Sequence, residues 1–230
     1  MMELHALNLT TQFQWPFDDS FLQHLSAKAR HKAGHGTNRA EVNRSLWAEV
    51  FARVCIAKKL NIPNQQINIT RTNYGKPVLR GTELHFNLSH AGIWIVMATD
   101  SRPVGVDVEQ VRPLDPDAYQ GLLSKTERQL LNKMSTESLI QSFYALWTAK
   151  ESYLKAVGTG FLKLQNDLTI ETDGYPIRVN GQQDLPFTYV QHYTLPGSYL
   201  VATCAFHNRF PDKITIEQPS RIARHFVEIV

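Results

Sequence analysis

Apolar and polar residues alternate over residues 3 to 9, the spacing of a strand with one buried face, and "DSFLQHLSAKARHKA" follows with helical spacing. The stretch "NRAEVNRSLWAEVFARVCIAKKLN" sets Leu46, Trp47, Val50, Phe51 and Val54 three and four residues apart, with Asn38 and Glu41 placed like a capping pair; it predicts the best helix of the first half. From 83 to 110 the period drops to two. Two interruptions, "SHAG" at 89 to 92 and "DSRP" at 100 to 103, are short enough for hairpins, so the pattern predicts a three-stranded antiparallel meander. In a meander the first strand ends at the edge where the third one also ends, which places Ser89 and His90 near Asp107 and Glu109.

After the meander, "RPLDPDAYQGLLSKTERQLLNKM" begins as a Pro-containing loop and becomes helical, with Ser124 and Glu127 spaced as a capping box. A long helix is predicted around 138 to 157. Strands follow: "LTIET", a hairpin turn at Asp173-Gly174, "YPIRV", Asn180-Gly181, "FTYVQHY" and "SYLVATCAF". Each half thus offers helix plus sheet, an α/β (α+β) chain with an N-terminal half at 1–102, a C-terminal half at 103–212 and a tail at 213–230. The tail, "PSRIARHFVEIV", has the pattern of a small amphipathic helix.

Composition changes this picture little. With 43% hydrophobic and 20% charged residues the 230-residue chain is of ordinary globular type. Its net charge of +3 is too small to indicate nucleic acid but suits an anionic partner. The first residues carry neither a basic leader nor an apolar core, and "IWIVMA" is too short to span a bilayer, so a soluble cytoplasmic protein with no membrane partner is expected. Cys55 and Cys204 lie among apolar neighbours and read as buried thiols rather than a bridge.

Two stretches carry candidate chemistry. In "GVDVE", Asp107 and Glu109 are two apart on a strand, so they share a face about 7 Å apart while Val106 and Val108 enter the core. Two carboxylates on one face repel unless a cation lies between them, and oxygen-only ligation points to a hard ion such as Mg²⁺. An acidic exposed edge strand has the same letters. On the long helix, Phe143, Leu146, Trp147, Tyr153, Leu154 and Val157 form one apolar arc with Lys150 in its middle, and Glu151 and Lys155 share a face at its margin. These two also fit a solvated ion pair, but a lysine centred in an apolar arc needs an anion or a water-filled cleft. "NYGKPVL" puts Lys76 at a turn between Gly75 and Pro77, without Walker spacing, and "FNLSHAG" puts Ser89 and His90 just past a strand, where both can donate to phosphate. Serine-hydrolase and zinc motifs are absent from the sequence.

Taken in order, "YGKPVL", "FNLSHAG", "GVDVE", "LLSKTERQLL" and "WTAKESYLKAVGTG" resemble the phosphopantetheinyl transferase superfamily, of the longer surfactin-synthetase type, over roughly residues 20 to 206. The resemblance implies two similar α/β halves related by a pseudo-twofold axis, with coenzyme A and Mg²⁺, or Mn²⁺, in the cleft between them. It implies transfer of the phosphopantetheine arm of coenzyme A to a serine of an acyl or peptidyl carrier protein, with release of adenosine 3′,5′-bisphosphate, by a monomer. Asp107, Glu109 and Glu151 would be the metal ligands, and Glu151, with Glu109 as competitor, the general base. Lys155 would meet the pyrophosphate with Lys150 close by. Gly75, Lys76, Pro77, Ser89 and His90 would hold the nucleotide end, with Arg44 and the "KARHK" cluster at 28 to 32 as further candidates for its 3′-phosphate. Residues 112 to 135 would meet the carrier. Ala91 departs from the serine or threonine of many relatives. The rival readings are a Mg²⁺-dependent phosphohydrolase or nuclease built on the same carboxylates, and a basic binding module without catalysis.

Overall fold

The computed structural model describes residues 1–9, 19–114, 122–158, 169–171, 177–180 and 188–230. Strand β1 (Glu3–Asn8) leads into helix α1 (Ala27–His35) and helix α2 (Arg39–Leu60). The side chain of Asn38 accepts from Glu41 N at the start of α2, and Leu46, Trp47, Val50, Phe51 and Val54 are all buried, as their spacing predicts. A short hairpin, β2 (Ile69–Arg71) and β3 (Pro77–Leu79), precedes strands β4 (His85–Ala91), β5 (Trp94–Asp100) and β6 (Val104–Gln110). Helix α3 (Lys125–Leu131) opens on the expected Ser124–Glu127 capping box, and the long helix α4 is Thr136–Val157. Then come β7 (Thr169–Glu171), β8 (Ile177–Asn180), β9 (Thr188–Leu195), β10 (Tyr199–Ala205), β11 (Thr215–Glu217) and helix α5 (Pro219–Ile229). The turns expected at Asp173-Gly174 and after Asn180 lie outside the described residues. Among the described residues no helix is long and apolar enough to cross a membrane.

The predicted meander is only half present. β4 and β5 pair as expected, but β6 leaves them and pairs with β10. The reason lies in β5, whose two edges are already taken, by β4 on one side and β1 on the other. Its uninterrupted burial is the mark of a central strand. One sheet therefore runs β11-β1-β5-β4 and a second β6-β10-β9-β8-β7. Both repeat one connectivity: a strand, a long helix, then a hairpin whose second strand pairs antiparallel with the first strand. In the first sheet this is β1, α2, β4 and β5; in the second, β6, α4, β9 and β10.

The sheets pack face to face. Leu4, Ala6, Val96 and Ala98 of the first meet Val104, Val106, Val108 and Val201 of the second in a shared core. Helix α2 covers the outer face of the first sheet and α4 that of the second. The tail belongs to the first layer: β11 runs parallel to β1, and Ile222 and Phe226 of α5 are fully buried in the core under α2.

Gly105 sets how close α4 comes to β6. A Cβ there would stand 1.9 Å from the backbone oxygen of Ser152 and 2.4 Å from the nitrogen of Ala156. Helix backbone cannot yield as a side chain can, so Gly105→Ala is expected to destabilise the protein by about 1–3 kcal/mol or more and to push the helix outward. Urea unfolding of the variant beside wild type measures it, and an unchanged midpoint would contradict the close approach.

Candidate functional site

The site lies where the edges of the two sheets abut. β4 and β6 have no backbone ladder between them; side chains join them instead. Asn87 Oδ1 accepts from Val106 N at 2.9 Å, and Ser89 Oγ donates to Asp107 Oδ1 at 2.9 Å. The expected meeting of Ser89 with Asp107 is thus present, although the two strands belong to different sheets. Ser89 and His90 stand within β4 itself, since the turn begins only at Gly92.

Asp107 and Glu109 face α4, as Val106 and Val108 fill the shared core. Along α4 the residues Trp147, Glu151 and Lys155 follow one another at four-residue steps on one face. The two ends of that row reach the two carboxylates: Trp147 Nε1 donates to Glu109 Oε1 at 3.5 Å, and Lys155 Nζ donates to Asp107 Oδ1 at 2.6 Å and to Ser89 Oγ at 2.9 Å. Glu151, buried at 4% exposure, stands between them over β6. Among the described residues no group of three or more His, Cys, Asp and Glu side chains is gathered closely enough to hold a metal ion. The Lys155 ammonium takes the place beside Asp107 that a cation would fill.

The carboxylate pair is short of positive charge. Asp107 Oδ2 is buried with no hydrogen-bond partner. Burial, and then the repulsion of Asp107, push the Glu109 carboxyl above its ordinary value, against the opposing pull of Trp147, Lys155 and Arg112. An orphaned carboxylate oxygen next to a carboxyl that resists ionisation fits a divalent cation with oxygen ligands.

Glu151 and Lys155 also line a cavity of about 270 Å³ with Tyr74, Gly75, Lys76, Pro77, Asn87, Leu88, Leu154 and Gly158. Pockets that enclose a whole small molecule run to roughly 300–1,000 Å³, so a larger ligand would lie partly outside this one. The Gly75–Pro77 turn reaches the cavity because Gly75, at φ 83°, closes the β2–β3 hairpin with its N–H on Thr72 O. His90 stands on the same strand as Asn87 and Leu88, in a positive field: lost hydration lowers its pKa first, and Arg44, Lys155 and Lys32 lower it further. The "KARHK" cluster is already partly engaged, since Lys32 Nζ donates to Glu41 at 2.9 Å and to Ser45 at 2.6 Å.

Lys150 does not join this group. Its side chain is fully buried, with Nζ 2.5 Å from Glu127 Oε2, the same oxygen that accepts from Ser124 N. The anion that a lysine in an apolar arc requires is therefore the capping glutamate of α3, not a ligand phosphate. The Ser-x-x-Glu spacing announced Glu127 as a cap but not as a counter-ion. Asn87 likewise escaped the sequence reading; its only signal was a polar residue in a strand otherwise alternating with apolar ones.

Comparison with known proteins covers nearly the whole chain. The family model of the 4′-phosphopantetheinyl transferase superfamily matches residues 103–204, and the model described as 4′-phosphopantetheinyl transferase, N-terminal, matches residues 13–102. The chain is similar to the 4′-phosphopantetheinyl transferase Sfp of Bacillus subtilis (strain 168), 28% identical over 94% of this chain and 97% of that protein. It is 34% identical to the 4′-phosphopantetheinyl transferase psf-1 of Bacillus pumilus over 71% of each chain. To the 4′-phosphopantetheinyl transferase gsp of Aneurinibacillus migulanus it is 37% identical over 54% of this chain and 52% of the other.

The raised Glu109 carboxyl yields a stability prediction. A folded-state value above the unfolded one means that the folded protein holds this proton more tightly, so stability falls as pH rises through that range and is lower above it. Glu109→Gln is therefore expected to raise the melting temperature at neutral pH in chelator. A lower melting temperature would show that the charge at 109 is already compensated.

Proposed function

Because the chain belongs to the 4′-phosphopantetheinyl transferase family, we propose that it moves the phosphopantetheine arm of coenzyme A to a serine of an acyl or peptidyl carrier protein in a Mg²⁺-dependent reaction that releases adenosine 3′,5′-bisphosphate. Transfer of the arm to carrier proteins is the family's reaction; the metal, the by-product and the residue roles are our reading. The observation that carries it is the row Trp147, Glu151, Lys155 on α4, whose ends bind Glu109 and Asp107 on β6 beside a cavity that the Gly75–Pro77 turn also lines.

In this reading the diphosphate of coenzyme A enters beside Lys155. The Lys155 side chain is partly exposed, at 27%, so its ammonium can turn from Asp107 to a phosphate oxygen without crossing the core. There it would neutralise charge building on the phosphate as the serine attacks and the leaving phosphate departs. Mg²⁺, or Mn²⁺, when bound by Asp107, Glu109 and Glu151, supplies the remaining positive charge at the diphosphate. Ser89 Oγ, whose one proton rests on Asp107, would turn it to a nucleotide phosphate once a cation takes over that carboxylate. Arg44 extends the positive field, His90 offers a neutral ring N–H, and the Gly75–Pro77 turn holds the nucleotide end. Glu151 is assigned the serine proton, directly or through a water, with Glu109 as the competing acceptor. Lys150, bound to Glu127, is left out of ligand binding. Residues 112 to 135 are assigned to the carrier.

Incubation with coenzyme A, Mg²⁺ and apo carrier domains, followed by intact mass measurement, tests the reading. Wild type is expected to add one phosphopantetheine per carrier. Asp107→Asn and Glu151→Gln should reduce transfer by about 10²-fold or more while melting as folded proteins. Full activity in either variant would refute its assignment, and release of nucleotide without any carrier would favour a hydrolase instead.

A further inference from the structure

Helix α4 carries Lys155 and Glu151 in its last two turns, and its carboxyl end needs partners. The last four carbonyls of any α-helix lack intrahelical donors. Here Gly158, in the left-handed conformation at φ 80°, returns its N–H to Leu154 O. Ala156 O is met from outside the helix, by Lys76 Nζ at 2.8 Å. The same ammonium lies 3.3 Å from the oxygen of Val104, the first residue of β6. One cation thus joins the end of the helix that holds Lys155 to the start of the strand that holds Asp107 and Glu109.

We propose that the Lys76 side chain is a positioning residue: it fixes the last turn of α4 against β6 so that Lys155 and Glu151 stand at the reacting phosphate, while only its loop, Gly75 to Pro77, serves the nucleotide. Three further observations support this. A positive charge at a helix carboxyl terminus is favoured by the helix dipole. The Lys76 stem is confined, since a Cβ on Gly158 would stand 3.1 Å from Lys76 Cδ. Burial lowers the Lys76 pKa to about 8, so the ammonium keeps its charge at neutral pH only at a desolvation cost, which the two carbonyls offset. An ammonium kept for a ligand phosphate would be better left in water.

The inference rests on the functional reading above, and its test separates the two. Lys76→Met keeps the length of the side chain and removes the donor. Steady-state transfer is measured against coenzyme A concentration, and amide exchange of Val157 and Gly158 is followed in wild type and variant. The expected result is a loss of kcat of about tenfold or more, larger than any rise in KM, with faster exchange at both amides. A rise in KM that equals or exceeds the loss in kcat, no change in either, or unchanged exchange overturns the proposal. Should the Met variant fail to fold, Lys76→Leu, which likewise removes the donor and the charge, is judged by the same criteria. If wild type transfers nothing, the functional reading fails, and the exchange measurement alone decides the role of Lys76.

Discussion

Two carboxylates set side by side on one strand repel each other, and the arrangement around β6 answers that repulsion. Asp107 receives Lys155 and Ser89; among the described residues Glu109 receives the weaker N–H of Trp147, and its pKa stays raised. The Asp107–Lys155 pair is partly exposed on the lysine side, and a pair of that kind contributes little net stability. Its value lies in where it stores charge. An ammonium parked on a carboxylate at the mouth of a cavity is available to an entering anion, and its departure exposes the carboxylate to a cation. Under the proposed function, the polar groups that compensate each other here are the ones that would receive a diphosphate and its counter-ion.

That arrangement requires two backbones to come unusually close. Gly105 permits it on the strand side, and the seam between β4 and β6 permits it on the other. Because the seam has no ladder, the edge of β6 is bound through the amide of Asn87 and the hydroxyl of Ser89. A backbone ladder would have fixed every residue of both edges at one spacing. Side-chain bonds join the two edges at two points only, Asn87 to Val106 and Ser89 to Asp107.

Much of this was legible in the letters. The caps at Asn38 and Ser124, the buried rows of α2 and α4, the i,i+2 placement of Asp107 and Glu109 and the i,i+4 placement of Glu151 and Lys155 follow from local periodicity, and local periodicity is what a sequence displays directly. What failed depends on partners far away in the chain. Residues 83 to 110 alternate as three paired strands would, and nothing local says that β1 has already claimed the free edge of β5. The uniformly apolar "WIVMA" was the available hint, for a strand buried on both faces is usually central. The tail shows the same limit: its amphipathic pattern is plain, but its place beneath α2 depends on β11 pairing with β1, more than two hundred residues upstream.

The two lysines of α4 show how the same local signal separates by context. Lys150 and Lys155 are five residues apart, about 140° around the helix, so they cannot serve one ligand face. Lys150 turns inward to Glu127 and is fully buried; Lys155 turns to the seam and keeps contact with solvent. Removing one member of a buried pair leaves an uncompensated charge and costs about 3–5 kcal/mol, so Lys150 and Glu127 depend on each other, and through them α3 on α4. Glu127 also closes the cap of α3, which means that the pair holds the start of one helix and the middle of another with a single carboxylate. If a carrier docks on residues 112 to 135, as proposed, it would meet α3 with its first turn tied by Glu127 to Lys150 of α4. Lys155 stands farther along the same helix, so α4 links α3, through Lys150, to the seam, through Lys155.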